Sequence, residues 1–250
     1  MDIAPLVVVA VAPGLFWLWY FYRKDRCKPE PRLLILQTFL LGIFVTAPAA
    51  FLENAISMIL LNTSYFGIFL STSDQLLQSA VQLSLVAVFA PVVEESAKFL
   101  SVERFVYRSK EFDEPIDGIV YGTAAALGFA TLENIIYVLS AYTMSFSLAL
   151  GTGIIRGLIS VPAHALFAVM WGFALGHAKF LPARRRAGVI LGGLSLAMLF
   201  HGIFNFLVIT NIGFAVAVLV FIPFLWWVAG RRISAALFEC EEISNAGEEG

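Results

Sequence analysis

The sequence predicts an all-α, polytopic transmembrane helical bundle. Of its 250 residues, 60% are hydrophobic and only 14% are charged, and the mean hydropathy is +0.85. In soluble domains, about a quarter of the residues are charged. The apolar runs are each about 20 residues or longer, which is the length that crosses a bilayer as a helix. We predict seven spans, or eight if a short or re-entrant helix at 146–156 is counted separately.

Each span follows from an apolar run with polar or basic boundaries. The first ends in an aromatic belt, which is typical of a membrane interface. The fourth begins with many glycines and alanines, which favour close and central packing. The apolar stretch Phe146–Ala178 is too long for one upright helix, so a short piece precedes its span. The seven spans are Ile3–Tyr22, Leu33–Leu61, Gln78–Phe105, Asp117–Tyr142, Gly157–His177, Gly188–Thr210 and Ile212–Ala229.

The loops predict the orientation. Basic residues lie after the first, third, fifth and seventh spans, whereas connectors such as Asn62–Asp74 contain none. The positive-inside rule then places the N-terminus outside and the C-terminus in the cytoplasm. Residues 1–232 form a single transmembrane domain, and residues 233–250 are predicted to be an acidic cytoplasmic tail without ordered structure.

Composition also excludes some classes of function. The formal net charge of −2 argues against nucleic acid as a partner. Cys27 and Cys240 are far apart in the chain and lie outside the apolar runs, so they predict neither a disulfide framework nor a spaced metal motif.

The third span carries an ionisable cluster at membrane depth. Glu94, Glu95 and Lys98 lie within five residues of an apolar run. On a helix, Lys98 is i,i+4 to Glu94 and i,i+3 to Glu95, so it can compensate one carboxylate and leave the other without a charge partner. Because intramembrane charges are costly and most often functional, a carboxylate placed here suits general-base work on water.

Other spans carry polar groups at compatible depths. The fourth contains Glu133 and Asn134, the fifth contains His164, and the sixth contains His201 and Asn205 on one face. Each of these could singly be a structural hydrogen-bond partner. Together they are expected to converge, because ionisable groups inside a bilayer need one another as partners.

These motifs, taken in order, resemble the PrsW family of intramembrane proteases. The resemblance rests on Glu94-Glu95-x-x-Lys98, Asp113-Glu114-Pro115-x-Asp117-Gly118, Glu133-Asn134, His164 and His201-x-x-x-Asn205, together with Pro29-Glu30-Pro31. The family is distantly similar to the CAAX-processing and bacteriocin-processing membrane proteases. The resemblance implies a bacterial or archaeal plasma-membrane protease, with a membrane-anchored protein such as an anti-sigma factor as its substrate for site-1 cleavage. It also implies catalytic roles for Glu94, Glu95, Glu133, His164 and His201.

The mechanistic hypothesis is cofactor-free hydrolysis in an outward-facing, water-filled cavity. Glu94 or Glu95 would activate water, and His164 or His201 would stabilise the oxyanion. Lys98, Asn134 and Asn205 would have supporting roles. A zinc-dependent protease, with Zn²⁺ held by His164, His201 and Glu133, is one alternative. A proton-coupled transporter is another, and a catalytically idle scaffold is a third; the oligomeric state stays open.

Overall fold

The computed structural model describes residues 3–61, 83–209 and 211–248, and every regular element within these ranges is a helix. The predicted connector Asn62–Asp74 and the start of the third span at Gln78 lie outside the described residues. The helices are α1 (Ala4–Tyr22), α2 (Arg32–Leu61), α3 (Ala90–Phe105), α4 (Asp117–Tyr142), α5 (Phe146–Leu158), α6 (Ser160–Lys179), α7 (Ala183–Ile209), α8 (Asn211–Val216) and α9 (Ile222–Glu248). A π-helical turn precedes α3 at Leu85–Phe89, and another precedes α9 at Ala217–Phe221.

The helical bundle predicted from the sequence is confirmed. Six described segments are long and apolar enough to cross a membrane, and one of them, Phe146–Lys179, combines α5 and α6. The short helix expected near 146–156 is α5. It ends because Pro162 has no N–H to donate to the carbonyl of Leu158, four residues earlier. The helix α3 is not among the six, since its described residues are rich in charged groups.

The central helix is α4, as its small residues predict. It packs between α2 on one side and α6 on the other. A Cβ atom added at Gly118 would lie 2.1 Å from the carbonyl oxygen of Gly172 on α6. One added at Gly128 would lie 1.9 Å from the carbonyl oxygen of Phe39 on α2. Only glycine permits these backbone approaches, which bring the polar face of α4 close to its neighbours.

The C-terminal segment differs from the predicted unstructured tail. Helix α9 continues to Glu248, well beyond Arg232. Ile233, Ala236 and Cys240 follow at helical spacing and are buried, so the apolar face of α9 extends further than the span itself. Cys240 is joined to Cys27 by a disulfide, with 6.8 Å between the Cα atoms, which corrects the prediction that the two cysteines are not paired.

Candidate active site

The π-helical turn sets the position of the glutamate-bearing helix α3. The side-chain amide of Asn205 on α7 donates to the carbonyl of Val86 within this turn, at 3.0 Å. A Cβ atom at Gly202 would lie 2.3 Å from the carbonyl oxygen of Ala87, so α7 crosses the turn closely. Because His201 adjoins Gly202, this close crossing brings an imidazole of α7 beside α3.

Glu95 and Lys98 form a fully buried ion pair. The ammonium of Lys98 donates to Glu95 Oε1 at 2.6 Å, and neither side chain is exposed. The indole of Trp171 on α6 donates to Glu95 Oε2 at 3.0 Å. His201 Nδ1 lies 2.9 Å from Glu95 Oε1. Both oxygens of Glu95 therefore have donors, as a charge removed from water requires.

Each histidine has a carboxylate on one ring nitrogen. His201 Nδ1 contacts Glu95, and His164 Nε2 lies 3.0 Å from Glu133 Oε2. Lys98 lies 3.2 Å from His164 Nδ1, and an ammonium can only donate, so this nitrogen is an acceptor. The partners thus assign the protons to His201 Nδ1 and His164 Nε2. His164 Nδ1 is therefore unprotonated, and Nε2 is the ring nitrogen of His201 that does not contact Glu95.

Glu94 lies between Nδ1 of His164 and Nε2 of His201. Its Oε2 is 3.8 Å from His164 Nδ1 and 3.9 Å from His201 Nε2. Among the described residues, its only side-chain hydrogen bond is a long one of 3.4 Å from Lys98. The two rings stand edge to face, with 5.0 Å between their centroids. Glu94 is the least satisfied of the buried carboxylates on α3, so it is the one available to a water molecule or substrate.

Glu133 has a cation partner on α5. Arg156 Nη2 on α5 lies 3.0 Å from Glu133 Oε2, although without the alignment of a hydrogen bond. The guanidinium also stacks over the ring of Tyr137, with Cζ 3.8 Å from its centroid. The break between α5 and α6 places Arg156 here, and periodicity alone does not reveal that placement.

Not every predicted site residue joins this group. The structure brings together Glu94, Glu95, Lys98, Glu133, His164 and His201, which we call the α3 cluster. The amide of Asn134 instead donates to the carbonyls of Val9 and Ala10 on α1, and that of Asn205 donates to the π-helical turn. The Asn134 amide uses both of its N–H groups in these contacts, whereas the Asn205 amide keeps one N–H beyond its bond to Val86. Both amides link neighbouring helices.

The donor set of the α3 cluster also fits a metal ion. Glu94, His164 and His201 offer one ligand atom each within 4.8 Å of one another. Glu133 and Glu95 contact the far nitrogens of the two histidines, as carboxylates do behind metal-bound imidazoles. The set thus differs from the predicted one, with Glu94 in place of Glu133. A bound cation would have to displace the Lys98 ammonium toward Glu95, since Nζ is close to two of the three donors.

A cavity of about 420 Å³ opens beside the cluster between α2 and α3. Glu53, Phe89 and Ala90 are among its lining residues. Ala90 is one helical turn before Glu94, so the cavity approaches the face of α3 that carries Glu94. His177 Nδ1 lies 2.7 Å from Glu239 Oε2 on α9.

Comparison with known proteins identifies a family. A family model described as PrsW family intramembrane metalloprotease matches residues 30–228. The chain is 36% identical to the Protease PrsW of Geobacillus kaustophilus, with 92% of each chain covered. It is 32% identical to that of Bacillus subtilis, over 92% of this chain and 95% of the relative, and 31% identical to that of Clostridioides difficile, over 91% and 87%. No solved structure matches.

Proposed function

Because this chain belongs to the PrsW family of intramembrane proteases, we propose that it cuts a membrane-anchored protein at the α3 cluster. The observation that carries this proposal is the position of Glu94 Oε2 between Nδ1 of His164 and Nε2 of His201. A carboxylate and two imidazoles can activate water and hold a developing negative charge. The relatives are named as proteases, so the transporter and scaffold alternatives lose their support.

In this proposal, Glu94 is the essential carboxylate and Glu95 is a positioning residue. Glu95 accepts from Lys98, Trp171 and His201, which occupies three of the roughly four acceptor sites of its carboxylate. In the absence of a metal, Glu94 accepts the proton of the attacking water. His164 and His201 both lie beside Glu94, so one of them carries this proton from Glu94 to the leaving amine. Glu133 holds the ring of His164, and Arg156 keeps Glu133 ionised.

The description of the family implies a metal ion, and Glu94, His164 and His201 are the residues that would hold it. When bound, such an ion would polarise the scissile carbonyl and lower the pKa of bound water. Glu94 would then be one of its ligands, whereas without the ion Glu94 is the proton acceptor. Glu133 contacts His164 and Glu95 contacts His201. These two carboxylates have the same task with or without the ion, namely to fix the tautomer and the orientation of each ring.

The substrate is proposed from the placement of the cluster. All six of its residues are on spans or on α3, so the scissile bond must come to membrane depth. A single-span protein anchored in the bacterial plasma membrane, of the anti-sigma-factor kind that the sequence resemblance implies, meets this requirement. The cavity between α2 and α3 is the proposed approach to Glu94.

The test is cleavage in proteoliposomes that contain only the purified protein and a single-span substrate. The native protein and a Glu242→Gln control, which alters an exposed residue of α9, are expected to cut within or next to the span. The double variant His164→Ala/His201→Ala is expected not to cut. Mass spectrometry of the products locates the bond. Uncut substrate with native protein, or equal cutting by the double variant, would refute the proposal.

Metal analysis of the same active preparation separates the two forms of the mechanism. If the cluster works with a metal, about one equivalent of a transition metal is present, chelation abolishes cleavage and the metal restores it. If Glu94 acts alone, metal-depleted protein cuts at the native rate.

A further inference from the structure

A second group of buried carboxylates lies away from the α3 cluster. Asp25 and Glu30 belong to the loop between α1 and α2, and Asp117 begins α4. We call these three residues the loop carboxylate cluster. One oxygen atom from each lies within 4.8 Å of the others, and the three residues are 5%, 3% and 0% exposed. Asp117 precedes Glu133 by 16 positions on α4, which is roughly 24 Å along a helix. The loop carboxylate cluster is therefore separate from the proposed active site.

Some of these oxygens have donors. Asp117 Oδ2 accepts from the backbone N–H groups of Asp113 and Glu114, at 2.8 and 2.7 Å. Asp25 Oδ2 accepts from the backbone N–H of Glu30 at 3.3 Å. The hydroxyl of Tyr121, one turn along α4, donates to Glu30 Oε2. These contacts fix the three carboxylates, each by one oxygen.

The other aspartate oxygens are less well satisfied. Asp25 Oδ1 and Asp117 Oδ1 are buried and accept no well-aligned hydrogen bond from the described residues, although the backbone N–H groups of Cys27 and Lys28 lie near the Asp25 carboxylate. A buried carboxylate oxygen in this condition is unfavourable and needs an explanation, such as a bound ion. Two such oxygens come from two separate elements and belong to side chains that meet at one point. This is an observation independent of the clustering of acidic residues itself.

The charge of the cluster is also uncompensated. In the part of the chain that the structure describes, no charged side-chain nitrogen of Lys, Arg or His lies within 4 Å of the carboxylate oxygens of Asp25, Glu30 or Asp117. Lys28, in the same loop, pairs with the exposed Asp113 instead. Burial raises the pKa of the Asp25 carboxyl and raises the pKa of Glu30 to about 7. Both raised pKa values indicate that the site favours binding of positive charge, whether as protons or as a cation.

The donor atoms indicate which cation is suitable. All three side chains offer oxygen, with no imidazole or thiolate among them, and hard divalent cations prefer such ligands. We infer that Asp25, Glu30 and Asp117 bind a divalent cation of the Mg²⁺, Mn²⁺ or Ca²⁺ class. The cation joins the loop after α1 to the first turn of α4. This inference does not depend on the proposed function.

The consequence is structural. The first turn of α4 packs against α6 at Gly118 and Gly172, so anchoring Asp117 holds the helix that carries Glu133 at its other half. A cation at this site would stabilise the contact among α1, α4 and the connecting loop. The positive-inside rule assigns this end of the bundle to the cytoplasm, where Mg²⁺ is available.

The probe is Mn²⁺, titrated by electron paramagnetic resonance into metal-depleted full-length protein in lipid nanodiscs. Every protein carries Glu94→Gln, so that a candidate ligand of the active site is absent. We expect one saturable Mn²⁺ site, at least tenfold weaker after Glu30→Gln or Asp25→Asn and unchanged after Glu242→Gln. Mg²⁺ or Ca²⁺ should displace the Mn²⁺. Absence of saturable binding, or binding that Glu30→Gln leaves unchanged, would overturn the inference.

A second measurement needs no variant of the loop carboxylate cluster. In the presence of hydrogen peroxide and ascorbate, Fe²⁺ bound in place of Mn²⁺ reduces the peroxide to hydroxide and a hydroxyl radical, which cuts the nearby backbone, and ascorbate returns the Fe³⁺ to Fe²⁺. Cuts within residues 23–31 and beside Asp117 are expected, and excess Mg²⁺ should suppress them. If cuts fall elsewhere only, or if the unfolding temperature responds to pH but not to Mn²⁺, the carboxylates hold protons alone and the inference is wrong.

Discussion

The two buried acidic groups of this protein differ in how their charge is balanced. In the α3 cluster, three carboxylates face two cations, Lys98 and Arg156, together with two imidazoles. In the loop carboxylate cluster, three carboxylates face backbone N–H groups and one phenol, with no cation within 4 Å among the described residues. Most of the negative charge in the first group is balanced by cations, and we call this group the closed network. The charge of the second group is not balanced in this way, and we call it the incomplete group.

This contrast shows why burial of acids alone does not identify a catalytic site. In the α3 cluster, one excess negative charge remains at Glu94, beside two nitrogens that can exchange protons. That arrangement suits chemistry, because the network can take up a proton and release it. The loop carboxylate cluster offers only oxygen acceptors that share the same charge. It therefore suits a bound cation and not a reaction.

The largest effect on stability should come from removing the cation at the centre of the closed network. Lys98→Met leaves Glu95 buried without its ammonium partner and should destabilise the protein by about 3–5 kcal/mol. Thermal unfolding in detergent measures the change. The double variant Glu95→Gln/Lys98→Met should recover part of the loss, because it removes both charges. Equal stability of Lys98→Met and native protein would contradict the closed network.

The matching change in the incomplete group should have the opposite sign. In a buffer without divalent cations, Glu30→Gln removes one of three like charges, and Gln can still accept from the Tyr121 hydroxyl. The unfolding temperature should rise by roughly 2–4 °C, the shift that about 1 kcal/mol produces in a chain of this size. A fall in the unfolding temperature would show that the three carboxylates do not repel one another.

Arg156 tests the outer part of the α3 cluster. Arg156→Met removes the partner of Glu133, and Glu133 positions His164. Cleavage should fall by about 10–100-fold, as is usual when a group that orients a catalytic imidazole is lost. Arg156→Lys should restore part of the rate, since it keeps the charge. Cleavage rates and unfolding temperatures measured together separate this role from a purely structural one.

Asn134 should show the smallest effect, and on stability only. Its amide joins α4 to two carbonyls of α1. Asn134→Ala should therefore destabilise the protein by about 1 kcal/mol, the scale of an interhelical hydrogen bond in a membrane. Its rate of substrate cleavage, measured below the unfolding temperature, should equal the native rate. A large loss of rate without unfolding would return Asn134 to the catalytic group.

The sequence was sufficient to predict the main convergence of charged side chains. Glu94, Lys98 and Glu133 are ionisable groups in apolar runs, and such groups must find partners within the bilayer. Helical spacing placed Glu94 and Glu95 beside Lys98 correctly, because i,i+3 and i,i+4 contacts are local. The bundle itself was equally predictable, since span length and loop charge are also local properties.

Contacts between distant segments were not predictable in the same way. Whether an asparagine on a span turns to the active site or to a neighbouring carbonyl depends on helix rotation, which the sequence does not give. The same holds for Arg156, whose place follows from the break between α5 and α6. The signal for the extended α9 was present but weak, as Ile233, Ala236 and Cys240 continue the apolar face beyond Arg232.

The most direct test of the central claim compares Glu94→Gln with Glu95→Gln in single-turnover cleavage of a membrane-anchored substrate. Glu94→Gln keeps the shape of the side chain but loses its charge. It should fold normally and cut roughly 10²–10⁴-fold more slowly than the native protein. Glu95→Gln should lower both the unfolding temperature and the rate, because it breaks the buried pair with Lys98. Native-rate cleavage by a folded Glu94→Gln protein would contradict catalysis at the α3 cluster.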